Sequence, residues 1–250
     1  MTSRDLDLPS NYGRLVEDLK DRVRRAQVTA QRRVNTQLIE LYWSIGQAVR
    51  EESARRTRQA VVRAATDLFV TRGYAATSLA DIAEVAEVAR PTVFAAFGSK
   101  PALLRQVLDQ ALAGDDEPVP VAQRDWFAPV WGATSPDGAL RAYAEVCVLI
   151  GGRAAELFEV VRRAADESAE LAGLWGSLVD NRRTGAAGVI DHTRRLGPLR
   201  SDLTVDRAVD VLWLLNDPAL YASLVLRQGW PVDDFGAWLA RSMRSALLPG

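Results

Sequence analysis

Histidine and cysteine each occur once in 250 residues, and that scarcity removes most enzyme chemistry. Cys147 and His192 lie far apart in the chain and give neither zinc-ligand spacing nor a nucleophile–base pair. A single cysteine also excludes an internal disulfide framework and fits a reducing, cytoplasmic setting. There is no glycine-rich phosphate loop, no G-x-S-x-G elbow and no H-E-x-x-H pair. The adjacent carboxylates Asp115–Asp116 and Asp166–Glu167 point in different directions on a helix and read as solvated. No enzyme, cofactor or metal is expected. No segment approaches about 18 uninterrupted apolar residues, and the N-terminus lacks a signal-type apolar run, so no membrane span is expected. No repeat of fixed period and no low-complexity tract is visible. The formal charge of −1 excludes a uniformly basic chain, so attraction to a polyanion would have to come from local patches.

What the chain does have is concentrated between Thr77 and Lys100. Ser78 and Asp81 carry the S-x-x-D spacing of a helix start, in which a hydroxyl caps a free backbone N–H. Ile82 and Ala83 form a small apolar face, and Ala86-Glu87-Val88 form a corner. A new helix opens at Arg90-Pro91, where proline is tolerated because a first-turn N–H has no intrahelical partner. This is helix-turn-helix spacing, with a second helix short enough for a DNA major groove. At its start the Arg90 guanidinium can grip guanine O6 and N7. Pro91 and Ala95 offer apolar contact to a thymine methyl, and Thr92 reaches a base or a phosphate.

Together with Arg56–Phe69, Arg72-Gly73-Tyr74-Ala75-Ala76-Thr77-Ser78 and Phe97-Gly98-Ser99-Lys100-Pro101-Ala102-Leu103-Leu104, this stretch resembles the tetracycline-repressor family of bacterial transcription regulators. The resemblance implies an all-α protein with a three-helix DNA-binding domain at 54–113 and a helical-bundle ligand-binding and dimerisation domain at 118–250. It implies a repressor that binds a double-stranded, palindromic operator as a homodimer and responds to a small hydrophobic or aromatic effector. Lys100 stands where the family places a phosphate-contacting lysine, and Lys20 is the only other lysine in the chain. The expected DNA-contacting residues are Thr77, Ser78, Arg90, Pro91, Thr92, Phe94, Ala95 and Lys100. Phe69, Ile82, Val93, Phe97 and Leu104 are expected as the small core behind them. Three positions depart from the family pattern. Phe94 stands for the usual tyrosine, Ala96 for histidine or tyrosine, and Glu87 for the corner glycine, where a positive φ costs roughly 1 kcal/mol. Fewer phosphate anchors weaken binding to every sequence alike. They leave an alternative of another class: an interaction or scaffold protein with a degenerate helix-turn-helix that docks a partner through its N-terminal helices.

Residues 1–53 precede that domain as a helical extension. Leu15, Leu19, Val23, Ala26 and Ala30 recur at helical spacing, as do Leu38, Leu41, Ile45 and Val49, with Arg22, Arg24, Arg25, Arg32 and Arg33 between and beside them. Around Val34–Gly46 the segment resembles the N-terminal helical domain of the YhcG-type nuclease family, although no nuclease domain follows here. Two readings stay open: a two-helix module that binds DNA or a partner, and an amphipathic extension packed on the DNA-binding domain with its arginines solvated.

Beyond the linker at Pro118 and Pro120, helical patterning returns at Ala139–Gly151, Ala154–Ala165, Glu170–Leu196, Val205–Asn216, Pro218–Gln228 and Val232–Leu248. Candidate lining for an effector pocket is Trp126, Trp131, Tyr143, Cys147, Phe158, Trp175, Trp213 and Tyr221, since broad aromatic surfaces suit flat apolar ligands. Candidates for the dimer seam are Val211, Leu215, Leu224, Phe235, Leu239 and Met243, which could equally belong to the monomer core.

Overall fold

The computed structural model describes residues 12–250, so the first eleven residues of the expected extension lie outside it. Among the described residues there is no strand; the elements are helices throughout. Two units divide the chain, Met1–Arg56 and Thr57–Gly250.

The first helix, α1, spans Tyr12–Arg72. The two apolar runs of the extension therefore belong to one helix rather than to a two-helix module. The reason is local: no proline lies between Pro9 and Pro91, and no helix-stopping pattern occurs before Gly73. At Gly73 a positive φ of 85° ends the helix, as a left-handed glycine commonly does. Within Met1–Arg56 the described side chains are exposed nearly throughout.

The second unit begins with the last turns of α1 and continues through α2 (Leu79–Val85), α3 (Arg90–Phe97) and α4 (Lys100–Ala113). Short α5 (Ala128–Trp131) leads into α6 (Pro136–Ala164) and α7 (Ala169–Leu196). Then follow α8 (Val205–Leu215), α9 (Pro218–Tyr221) with a π-turn over Ala222–Arg227, and α10 (Val232–Leu247). The helices expected at Ala139–Gly151 and Ala154–Ala165 are one continuous α6. Gly151 does not break it; a Cβ there would sit 2.6 Å from the Tyr221 ring, so the glycine admits a close crossing of α9 over α6.

Burial sorts into two apolar cores joined by α6. Val61, Ala65, Phe69, Ile82, Val93, Leu104 and Leu108 from the first four helices pack with Leu157, Phe158 and Val161 of α6 and Leu171, Leu174 and Leu178 of α7. The second core gathers Phe127, Leu140, Tyr143, Ile190, Leu212, Tyr221, Phe235, Leu239 and Met243. Between α4 and α5, Arg124 pins the linker: its guanidinium donates to the Glu117 carbonyl at 2.7 Å, the Val119 carbonyl at 3.0 Å and Asp115.

By length and composition alone, Val205–Arg227 is a helical stretch apolar enough to cross a membrane, with mean hydropathy 1.3. It is interrupted at Asn216-Asp217-Pro218, where Asp217 caps the next helix. Arg182 donates to Asn216 at 3.0 Å and to Asp217 at 3.1 Å. A paired arginine and a helix cap at mid-span fit a core hairpin rather than a lipid-facing helix.

Candidate nucleic-acid interface

The capping box expected at Ser78 and Asp81 is present. The Ser78 hydroxyl oxygen accepts from the Asp81 N–H at 3.1 Å, and Asp81 accepts from the Ser78 N–H at 2.8 Å. The Ser78 backbone N–H, and after it the Ser78 hydroxyl, hold the Asp81 carboxyl below its ordinary range. Ile82 and Ala83 bury one face of α2. The corner closes with Val88 N–H donating to the Ala83 carbonyl at 3.0 Å, and Glu87 adopts φ 55°. That is the left-handed backbone the glycine-like corner demands.

α3 is anchored by Val93 and Phe97, which point into the first core. The opposite face presents Arg90, Pro91, Thr92, Phe94 and Ala95 to solvent. Phe94 is 64% exposed, unusual for a phenylalanine in a folded domain and consistent with a face meant to be covered. Arg58 lies with its guanidinium 5.1 Å from the Phe97 ring and donates to Gln106 at 3.0 Å, fixing the end of α3 against α4. Ser78 is exposed beside the start of α2, and Arg63, Arg72 and Arg105 are exposed on the same unit.

Two members of the expected DNA-contacting set have other work, which sequence spacing could not reveal. Thr77 is 1% exposed; its hydroxyl donates to the Gly73 carbonyl at 2.8 Å, with the Leu68 carbonyl at 3.2 Å. Its side chain therefore closes the α1–α2 turn instead of facing outward. Lys100 donates to the carbonyls of Tyr74 and Thr77, each at 2.9 Å, and lies 3.9 Å from the Tyr74 ring centre. Burial lowers its pKa. The ammonium ties the N-terminus of α4 to the turn beneath α2, with two of its three donors satisfied inside the protein.

The eight aromatic and thiol residues expected around a pocket do not share one core. Phe158 and Trp175 belong to the first. Trp126, Tyr143, Cys147, Trp213 and Tyr221 gather in the second, and Trp131 stacks on Phe127 at 5.0 Å. In the second core Asn216 donates to the Tyr143 hydroxyl at 2.8 Å, and Arg182 donates to the Trp213 carbonyl at 2.8 Å. The indole N–H of Trp213 is buried with no partner among the described residues. Desolvation pushes the Cys147 thiol up to about 12, which makes it an inert core group rather than a nucleophile. A separate cleft of about 550 Å³ lies between the end of α1, α6 and the π-turn. Phe69, Tyr74, Glu156, Val160 and Leu226 line it, and none of the eight expected residues does. Arg182, which pins α7 to the α8–α9 junction, carried no signal in the sequence.

Of the expected dimer-seam residues, Phe235, Leu239 and Met243 are buried in the protomer's own second core. A side chain already enclosed by its own chain has no surface left for a second copy. Val211, Leu215 and Leu224 are half-buried, and Leu214 and Leu226 beside them are exposed.

Residues 61–107 match the family model described as bacterial regulatory proteins, tetR family. The probable HTH-type transcriptional regulator ArpR of Pseudomonas putida is 26% identical over 184 residues, 70% of this chain and 84% of that protein. An HTH-type transcriptional repressor of Mycobacterium tuberculosis is 52% identical over 50 residues, which is 20% of this chain and 27% of that protein. The fold is shared with the transcriptional regulator FadR of Bacillus subtilis, solved in complex with stearoyl-CoA. That likeness has a TM-score of 0.62 at 16% identity, covering 75% of this chain and 98% of that one. With a capped α2, a left-handed corner and an exposed α3 face behind these likenesses, residues 61–107 are similar to the tetR family of bacterial regulatory proteins, and the chain is a non-enzymatic, DNA-binding transcriptional regulator.

Proposed function

We propose that this regulator is a cytoplasmic, ligand-responsive repressor that binds a palindromic operator as a homodimer. The observation that carries the reading is the outer face of α3. Arg90, Pro91, Thr92, Phe94 and Ala95 are exposed together while Val93 and Phe97 hold the helix down. Arg90 at the first turn suits a guanine edge, and the apolar Pro91, Phe94 and Ala95 suit thymine methyls. In the same reading 54–113 act as the DNA-binding domain and 118–250 as the ligand-binding and dimerisation domain.

One such helix reads too few bases, so a second half-site about 34–36 Å away must come from a second copy. The half-buried Val211, Leu215 and Leu224, with exposed Leu214 and Leu226, supply an apolar surface on the α8–π-turn hairpin for that pairing. For the effector, the second core offers Tyr143, Cys147 and Trp213 near one another, with the unpartnered Trp213 N–H as a donor. An apolar, aromatic molecule with one acceptor fits that chemistry. Coupling would run through α6, which packs against the second core and against Leu103, Leu104, Val107 and Leu108 of α4. A ligand preferring another setting of α6 would tilt α4 and change the half-site spacing, with a coupling of about 1–3 kcal/mol as is typical.

The test is selection of bound sequences from a random DNA pool with the full chain and with Arg90→Ala. A shared palindrome is expected from the first. The variant should lose about 1–3 kcal/mol of discrimination at one base pair per half-site. No enrichment from the full chain would sink the operator reading and favour a docking protein.

A further inference from the structure

Within the unit Met1–Arg56, the helix carries an apolar face with no partner among the described residues. Leu15, Leu19, Val23, Val34, Leu38, Leu41, Ile45 and Val49 are all exposed, the least of them by 43%. With Ala26 and Ala30 they recur every three or four residues and keep to one side of the helix. Their spacing is nearer the 3.6 of a straight helix than the 3.5 of a left-handed coiled coil. From Leu19 to Val49 this face runs about 45 Å. A stripe of that length in water calls for a cover. The helix is unbroken through this unit, so the two halves of the stripe cannot cover each other.

The sequence of the face indicates what covers it. Arg22–Arg33 holds five arginines and no acid, whereas Asn35–Gly46 holds one charge, Glu40. Laid parallel and in register on a second copy, the arginine block would meet itself, and like charges side by side repel. Laid antiparallel about Val34, the arginine block falls opposite the other copy's Asn35–Gly46. The apolar residues then match by size. Ala30 faces Leu38, Ala26 lies against Leu41 and Tyr42, Val23 faces Ile45, and Leu19 faces Val49. Small residues opposite large ones let two straight helices approach and interdigitate. Arg24 and Tyr42 fall on the same flank, where a guanidinium can stack on a phenol ring.

We propose that the segment Leu15–Val49 is a self-association element that pairs antiparallel with a second copy of this chain about Val34, separately from any pairing of the C-terminal helices. The test uses the full chain with Cys147→Ala and one new cysteine on the face, linked by a short bismaleimide at low protein concentration. Val34→Cys is expected to give a covalent dimer, because position 34 faces itself. Leu19→Cys is expected to link only when mixed with Val49→Cys. Adding Leu38→Lys and Leu41→Lys should cut the Val34→Cys dimer by roughly tenfold, since each new charge would be pressed against the other copy's arginine block. Those two side chains are exposed, so the melting of the rest of the chain should not move. Efficient self-linking by Leu19→Cys would mean parallel helices and overturn the proposal. So would a Val34→Cys chain that does not link, or one that links equally well with both lysines present.

Discussion

Glu87 carries the one positive φ among the described non-glycine residues, 55°, and a side chain there strains the corner between α2 and α3. Glu87→Gly is expected to raise stability by roughly 0.5–1 kcal/mol, read as an upward shift of the thermal midpoint; a drop would mean the glutamate side chain has a stabilising partner. Gly151 predicts the opposite sign. Helix propensity alone says that alanine in α6 should help by about 1 kcal/mol. A Cβ at this position would meet Cγ, Cδ2 and Cβ of Tyr221 at 2.6, 2.7 and 2.8 Å. Those atoms lie close to the Tyr221 backbone and cannot swing away, so Gly151→Ala is expected to cost about 1–3 kcal/mol. Denaturant unfolding with an unchanged or improved midpoint would refute the close crossing. Thr77 and Lys100 show the limit of residue-level reading. Hydroxyl and ammonium are chemistry that DNA uses, but carbonyls of the α1–α2 turn reach them first.

At the scale of elements, α2 has seven residues, too short to persist without its cap and its packing. Ser78→Ala removes the hydroxyl that accepts from Asp81 N–H and is expected to cost about 1 kcal/mol. Acid should act on the same cap. The Asp81 carboxyl is held below its ordinary 3.8, first by the Ser78 backbone N–H. Such a depressed carboxyl stabilises fully above about pH 4 and loses that contribution as pH falls through the lower folded value. The protection factors of α2 amides should therefore fall selectively below pH 4, and should not do so in Asp81→Asn, which has no carboxyl to protonate. Equal acid sensitivity in the parent and in Asp81→Asn would mean that the Asp81 cap is not the cause. Capping, proline placement and the glycine stop were all legible in the letters. The continuity of α6 was not, because a buried glycine and a helix-breaking glycine look alike until the neighbouring chain is in view.

For the whole molecule, α6 contributes to both cores, so a change at the second core has a packed route to α4. The dimer reading is tested by Leu214→Glu, at a position 61% exposed. With Leu38→Lys and Leu41→Lys also present to silence the extension, it should weaken the C-terminal dimer by roughly tenfold or more without lowering the melting temperature. Sedimentation showing an unchanged mass would exclude this surface. The sequence by itself determined the all-helical class, the helix-turn-helix and its cap, and the outward Arg90-Pro91-Thr92 face. Each rests on spacing and local backbone chemistry, which act over four or five residues. Tertiary structure alone decided that Thr77 and Lys100 turn inward and that Phe235, Leu239 and Met243 are core. It also decided that the aromatic residues divide between two cores. Burial and hydrogen-bond partnership depend on which distant segments arrive, and periodicity along one helix marks an apolar face without naming what will cover it.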